Sequence, residues 1–190
     1  MSHTRDDVVR MALRVLDEYG LADLSMRRLA AELDVRPSAL YHHVANKQTL
    51  LALVADELLR RTFRPALPAD ADWRATLVST ARALRESMLA YRDGAELVST
   101  VVAFGLGAAA PHDALVEALG DAALPASLVR TAAGTVLHYV LGHTLAEQTH
   151  LQADAAGALG DAPPARPSDF AEGLALIVDG IGVRLSGRAG

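Results

Sequence analysis

The sequence predicts an all-α fold, and three observations lead to this prediction. Apolar residues recur at spacings of three and four through most of the 190 residues, which is the pattern of one helix face. No stretch alternates apolar and polar residues as a half-buried strand does. Helix-starting and helix-ending residues bracket the periodic stretches, and 51% hydrophobic residues are enough for a large core.

The first three helices each begin at a recognisable residue. Thr4, with Asp7 three residues later, has the pattern of a capping box, and Gly20 is expected to end the first helix. Ser25 should cap the second helix, because its hydroxyl can accept from a free backbone N–H. Pro37 suits the first position of the third helix, where a missing N–H costs nothing.

The middle of the chain continues the helical pattern. A fourth helix is predicted to begin after Asn46 and to end near Phe63, because two prolines follow. A fifth helix begins near Asp72 and is interrupted by the Asp-Gly pair at 93–94, after which residues 95–110 are expected to be helical. The apolar stripe of the fifth helix consists of Trp73, Leu77, Ala81, Leu84, Met88 and Tyr91.

The C-terminal part is predicted to hold three more helices. Their start residues are Pro111, Pro125 and Ser168. The first of them should end at Gly120 and the second, a long helix, at about Leu151. Residues 153–167 are rich in Ala, Gly, Pro and Asp, which predicts a loop. The apolar stripe of the last helix consists of Phe170, Leu174, Ile177, Ile181 and Leu185.

Composition narrows the class of protein. The chain has no cysteine, which excludes disulfides and thiol catalysis. The N-terminus lacks the order of a signal peptide, and no apolar run reaches the roughly 20 residues of a membrane span, so we expect a soluble cytoplasmic protein. The net charge is −5, but residues 1–64 carry +1 and residues 65–190 carry −6. The chain has one lysine, Lys47.

The segment 25–47 is the most informative part of the chain. It predicts two short helices separated by a tight turn at residues 34–36, which is the pattern of a helix-turn-helix. Four basic residues against two acidic residues between 24 and 47 give this segment a weak basic excess. Such a segment can place the start of a helix and polar-tipped side chains in a DNA groove.

Residues 5–64 resemble the DNA-binding domain of the TetR family of repressors. The resemblance is carried by residues 24–30, LSMRRLA, and residues 39–47, ALYHHVANK. Further along, residues 89–95, LAYRDGA, and 145–150, LAEQTH, resemble the tetracycline-repressor subgroup. The resemblance implies a helix-turn-helix DNA-binding domain over residues 1–46. It also implies a ligand-binding and dimerisation domain over residues 47–190.

The resemblance further implies a homodimer that binds a palindromic operator and is released by a small molecule, with no cofactor. The implied dimer contact lies on the 126–151 and 169–185 helices, which together with a second copy would form a four-helix bundle. The family's operator contacts fall on Arg27, Ser38, Ala39, Tyr41, His42, His43 and Lys47. Ser25 and Arg36 are added because they can hold backbone phosphates. Because adjacent residues cannot share a helix face, one of the two histidines should reach DNA and the other should pack.

The expected effector differs from that of the subgroup. Tetracycline repressors bind a drug–magnesium chelate through histidine and threonine ligands at and after the Asp-Gly segment, whereas residues 97–102 here read LVSTVV. Phe63 stands where a drug-contacting histidine would be, and Thr80 and Leu84 replace an amide and an aromatic residue. We therefore expect an apolar or mildly polar ligand and no metal. The residues predicted to line its site are Phe63, Leu77, Thr80, Leu84, Val98, Val101, Val102, His138, Leu141 and Glu147.

Two other functions remain open from the sequence. An architectural DNA binder without a ligand would share the N-terminal segment but would have weak sequence preference. A small helical enzyme is less favoured, because no phosphate loop, nucleophile elbow or carboxylate cluster is present, and its best candidates are His143 and Glu147. These two residues, four apart, could also join a metal site, but the sequence offers no third ligand.

Overall fold

The computed structural model describes residues 3–67, 70–120, 122, 124–160 and 168–186, and in these ranges it contains nine α-helices and no β-strand. The all-α prediction is therefore confirmed for the described part of the chain. The helices are α1 Arg5–Tyr19, α2 Met26–Glu32, α3 Pro37–Leu40, α4 Lys47–Thr62, α5 Trp73–Leu89, α6 Gly94–Phe104, α7 Ala110–Gly120, α8 Ala126–Ala155 and α9 Phe170–Ser186.

The predicted helix starts are confirmed where they depend on a nearby side chain. Thr4 and Asp7 form the complete capping box of α1, and Gly20 is its C-cap. The Ser25 hydroxyl accepts a hydrogen bond from a backbone N–H at the start of α2. The Asn46 side chain accepts from the Thr49 N–H at 2.8 Å and caps α4. Each cap satisfies a backbone group that the helix itself leaves without a partner.

Three boundaries differ from the prediction. α3 contains only four residues, and the chain continues in turns through residue 43. α8 extends to Ala155 rather than ending at about Leu151, because alanine favours a helix and no proline or glycine intervenes. Residues 156–160 then form turns, and the rest of the predicted loop, 161–167, lies outside the described residues. α6 ends at Phe104, so the apolar stretch after it is a turn and not a helix.

By packing, the chain divides into two compact units. The first comprises the residues up to Phe63 together with Glu86–Ala108, and the second comprises Arg64–Arg85 together with the residues from Ala109 onward. In the first unit α4 packs against both α1 and α6, which is why a segment near residue 100 groups with the N-terminal helices. The functional division expected after residue 46 concerns DNA and ligand binding, and it stays a prediction.

Each unit has its own apolar core. Fully buried side chains of the first unit include Leu13, Leu16, Leu29, Leu40, Leu50, Leu58 and Leu97. Those of the second unit include Leu77, Leu84, Leu115, Leu119, Val136 and Leu174. Among the described helices, none combines the length and the apolar character that crossing a membrane requires.

Candidate nucleic-acid interface and effector site

The helix-turn-helix predicted from residues 25–47 forms in the first unit. Leu29 on α2 and Leu40 on α3 are buried, as is Val44 after α3, and they anchor the two helices to the core. Asp34 adopts a left-handed conformation (φ 52°) between the helices, and the Val35 N–H donates to the Ala30 carbonyl at 3.0 Å. The inner faces are thus fixed, and the opposite faces of α2 and α3 remain exposed.

The predicted operator contacts lie mostly on this exposed side. Arg27, Arg36, Ser38, Tyr41, His42 and Lys47 are exposed, whereas Ser25, Ala39 and His43 are half-buried. Tyr41 is 53% exposed, so its ring and hydroxyl are accessible on this side. His42 is the more exposed of the two histidines, and which of them reaches DNA and which packs stays a prediction.

Neighbouring arginines of α2 have different surroundings. The Arg28 Nε donates to the Glu32 carboxylate at 2.8 Å, and its guanidinium lies 3.9 Å from the centre of the Tyr19 ring. Arg28 therefore belongs to the packing of the unit. Arg27, by contrast, forms no ion pair with any residue in the described part of the chain, and the same holds for Arg36 and Lys47. These three side chains present uncompensated positive charge to solvent, which suits phosphate binding.

A set of long-range hydrogen bonds holds the N-terminal helices to the segments just before and just after α6. The Asp93 carboxylate accepts from the Leu21 N–H at 2.7 Å, and an Arg92 guanidinium N–H donates to the Glu18 carbonyl at 3.3 Å. The Asp56 carboxylate of α4 accepts from the Ala108 N–H at 2.8 Å. The sequence identified Asp93 only as a break in a helix, because its partner lies 72 residues away and leaves no local signal.

The predicted effector residues fall in both units, and each group can be described by itself. In the first unit Val98 and Val101 of α6 are buried, while Phe63 and Val102 are half-buried. One neighbour on α6 stands out, because the Ser99 hydroxyl is buried without any hydrogen-bond partner among the described residues. The sequence did not single out Ser99, since an apolar run gives no sign of an unsatisfied hydroxyl.

In the second unit most of the predicted effector residues are buried. Leu77, Thr80 and Leu84 are buried on α5, and Leu141 is buried on α8. The Thr80 hydroxyl already donates to the Thr76 carbonyl at 2.8 Å. Glu147, on α8, is half-buried. His138 is exposed on the same helix. That these residues and those of the first unit line one effector site stays a prediction.

The His143–Glu147 pair of α8 is part of a wider polar cluster in the second unit. Glu147 receives two hydrogen bonds from the Arg85 guanidinium, one of them 2.9 Å long. The His143 imidazole lies 3.9 Å from the Glu147 carboxylate and 3.7 Å from the Asp169 carboxylate, and it is in hydrogen-bond contact with the Ser168 hydroxyl. Because Arg85 occupies both oxygens of Glu147, this carboxylate has a structural ion-pair role. Within the described ranges, no group of three or more His, Cys, Asp or Glu side chains could hold a metal ion.

An apolar groove of about 270 Å³ lies on the second unit between α8 and α9. The groove is lined by Leu128, Thr131, Ala132, Thr135, Leu176, Ile177, Gly180, Ile181 and Arg184. Leu176 is 72% exposed and Val183, further along α9, is 70% exposed. Apolar side chains that are exposed side by side along a helix are a candidate interaction surface.

Comparison with known proteins agrees with this arrangement. Residues 8–54 match the family of "Bacterial regulatory proteins, tetR family", and residues 64–169 match the "Tetracyclin repressor-like, C-terminal domain". The tetracycline repressor protein class A from transposon 1721 of Escherichia coli is 34% identical over 198 aligned positions, covering 93% of this chain and 89% of that protein.

Solved structures that are similar to this chain include those of BioQ and ActR. BioQ of Mycobacterium smegmatis is 46% identical with a TM-score of 0.86, covering 95% of this chain and 98% of that one. A BioQ structure with its natural double-stranded DNA operator is 44% identical with a TM-score of 0.81, covering 94% and 97%. ActR of Streptomyces coelicolor in complex with (S)-DNPA is 27% identical with a TM-score of 0.76, covering 96% and 98%. The chain therefore belongs to the TetR family of bacterial regulatory proteins and is a ligand-responsive, DNA-binding transcriptional regulator.

Proposed function

We propose that two copies of this chain bind a palindromic operator through α2, the turn after it, α3 and the start of α4. The observation that carries this proposal is the exposed set of Arg27, Arg36 and Lys47, which have no ion-pair partner in the described residues, beside the exposed Tyr41 ring. The relative BioQ, which has been solved with its operator, supports it. Two α3 helices about 34–36 Å apart would fit adjacent turns of one major groove.

The exposed residues are assigned different roles in DNA binding. Arg27 is proposed to read a guanine edge, because its guanidinium can donate two parallel hydrogen bonds there. Arg36, Ser38, Tyr41 and Lys47 are proposed to hold backbone phosphates, which adds affinity and fixes the register but reads no sequence. The remaining proposed contacts are Ser25, Ala39, His42 and His43, of which His42 is the more exposed histidine.

The homodimer is proposed to form through α8 and α9. The groove between these helices has a mainly apolar lining, and Leu176, one of the lining residues, is 72% exposed in the single chain. The α8 and α9 helices of a second copy would cover this surface, and the four helices together would form a bundle. The weak basic excess of residues 24–47 also favours a dimer, because two weakly charged units together bind DNA more tightly than one.

The effector is proposed to be an apolar or mildly polar compound and not a tetracycline–magnesium chelate. Val98 and Val101 offer no metal ligand, the Thr80 hydroxyl is already bonded to the backbone, and Glu147 is already paired with Arg85. The effector would act by favouring a different spacing of the two DNA-reading units, with a coupling of about 1–3 kcal/mol. We propose that α4 transmits this change to the DNA-reading unit, because it packs against both α1 and α6.

We further propose that the regulator acts in the cytoplasm, where it meets DNA, and that it has no enzymatic activity.

The DNA-binding proposal is tested by selecting duplexes from a random pool with the full-length protein, followed by mobility shifts and sedimentation. The expected result is an enriched palindrome bound by a dimer. Binding without enrichment would instead indicate an architectural DNA binder, and a monomer on DNA would refute the dimer.

The effector proposal is tested by thermal-shift screening of a panel of metabolites and antibiotics, because a ligand of the folded state raises its melting temperature. Hits are then added to the operator complex. An apolar hit should release the operator, whereas tetracycline with magnesium should not. Release by tetracycline–magnesium would refute this proposal, and turnover of a hit would instead favour an enzyme.

A further inference from the structure

The His3 side chain joins the N-terminal segment to the turn of the helix-turn-helix. Its Nε2 lies 3.0 Å from the carbonyl oxygen of Leu33, which is 30 residues further along the chain. A carbonyl can only accept, so this nitrogen carries the hydrogen and donates. Leu33 is the C-cap of α2 and directly precedes Asp34, the left-handed residue of the turn.

The Leu33 carbonyl needs a donor from outside its own helix. In a continuing helix it would accept from the N–H four residues later, but that residue is Pro37, which has no N–H. A carbonyl at a helix end that lacks a partner weakens the end of the helix. His3 supplies the hydrogen bond that Pro37 cannot.

His3 is held in place by the cap of α1. The Thr4 N–H donates to the Asp7 carboxylate at 2.8 Å, and the Asp7 N–H donates to the Thr4 hydroxyl at 3.2 Å. The Thr4 N–H bond and a second bond from the Thr4 hydroxyl, which donates to the same carboxylate at 2.7 Å, lower the pKa of Asp7 to about 2 together with the nearby Arg10, so the carboxylate stays charged at neutral pH. The hydrogen bonds of the α1 cap therefore fix the direction of the chain next to residue 3, independently of the bond between His3 and Leu33.

The orientation of α3 depends on the turn that His3 contacts. α3 has only four residues, and the turn before it is held by two backbone hydrogen bonds, from Asp34 to the Ala31 carbonyl and from Val35 to the Ala30 carbonyl. Arg36 ends this turn and Ser38 follows on α3, and both are exposed residues of the proposed DNA surface. A third bond, from His3, would restrict the turn further.

We propose that His3 is a positioning residue for DNA reading, which acts by donating to the Leu33 carbonyl and so fixing the turn that ends at Arg36 and leads into α3, where Ser38 lies. This inference rests on the proposed function for its effect on operator binding. Its effect on the turn itself does not depend on DNA.

The test compares His3→Ala with His3→Gln, whose amide can still donate, and with His112→Ala, which removes a histidine from α7 in the other unit. Operator and random duplex affinities are measured by fluorescence anisotropy, using the palindrome selected by the wild-type protein. His3→Ala is expected to weaken operator binding about 25-fold, because each of the two subunits loses one hydrogen bond that is worth about five-fold. Random-duplex binding should change less than two-fold, His3→Gln should recover most of the loss, and His112→Ala should behave as wild type.

A second measurement follows hydrogen exchange at the Asp34 and Val35 amides in the free protein. Faster exchange in His3→Ala, restored in His3→Gln, is expected. Unchanged exchange would overturn the inference whatever the DNA result, as would equal losses for operator and random duplex. A wild-type protein without sequence preference would overturn the proposed operator function, while the exchange data would still decide the role of His3.

Discussion

The packing of α9 depends on a glycine at residue 173, and the substitution Gly173→Ala tests this directly. A Cβ atom added to Gly173 would lie 2.3 Å from the Tyr139 hydroxyl oxygen and 2.8 Å from its Cζ. Both distances are far below the 3.5–4.0 Å of ordinary contact. The Tyr139 ring would have to move, and its hydroxyl would then lose the 2.9 Å hydrogen bond to the Phe170 carbonyl.

The expected size of the effect follows from three contributions. Overpacking of a well-filled contact costs about 1–3 kcal/mol. The lost hydrogen bond costs about 1 kcal/mol. Alanine regains about 1 kcal/mol over glycine inside a helix. The free energy of unfolding of Gly173→Ala should therefore fall by about 1–3 kcal/mol.

Urea unfolding followed by circular dichroism, at one fixed protein concentration, measures this change. Two further variants isolate its cause. Gly134→Ala, in α8, adds a methyl with no atom within 4 Å and should stabilise the protein by up to about 1 kcal/mol. In a Tyr139→Phe background the cost of Gly173→Ala should shrink, since the hydroxyl is absent. A Gly173→Ala variant as stable as wild type would refute the reasoning.

Four other substitutions test the DNA surface and the first unit. Arg27→Ala should cost about 1–3 kcal/mol of operator binding and relax discrimination at one base position in mobility shifts. The control Arg82→Ala, which removes an exposed arginine of α5, should leave operator binding unchanged. An equal loss of Arg27→Ala on all sequences would show that Arg27 contacts only phosphate. Lys47→Ala should weaken binding to every duplex alike and reduce the slope of log affinity against log salt by about 1.8, because each of the two subunits loses one phosphate contact worth about 0.9; an unchanged slope would remove Lys47 from the interface. Ser99→Ala should raise the free energy of unfolding by about 1 kcal/mol, because it removes a buried hydroxyl without a partner, and a destabilised variant would show that the hydroxyl is bonded. Two neighbouring arginines lower the pKa of Glu57 from 4.5 to about 2, so its contribution to stability is present above about pH 4.5 and is lost as the pH falls toward 2. In Glu57→Gln the free energy of unfolding should therefore depend less on pH in this range, and a pH dependence equal to that of the wild type would contradict this.

The parts of the fold that the sequence predicts are those with local causes. Ser25 and Asn46 act on N–H groups three residues away, so each cap can be recognised from a few letters. Pro37 fixes the start of α3 in the same way. The end of α8 was missed because the alanine-rich stretch that follows has no stop signal before the turns at residue 156.

The parts that the sequence does not predict depend on partners far along the chain. Asp93 meets the Leu21 amide across 72 residues, and His3 meets Leu33 across 30. Neither pair has a fixed spacing that a reader of one sequence could search for. The exposed side of the DNA surface was predictable for a different reason, since the buried positions of α2 and α3 determine which residues must face outward.

Lys47 gives this regulator an unusual chemical asymmetry. It is the one lysine of the chain and stands exposed at the first position of α4. An acylating reagent that targets side-chain amines would therefore modify a single position, at the margin of the proposed operator surface, and would leave the α8–α9 groove unlabelled. The acylation rate of Lys47 would therefore report how much of the protein is bound to operator, because bound DNA would shield this side-chain amine from the reagent.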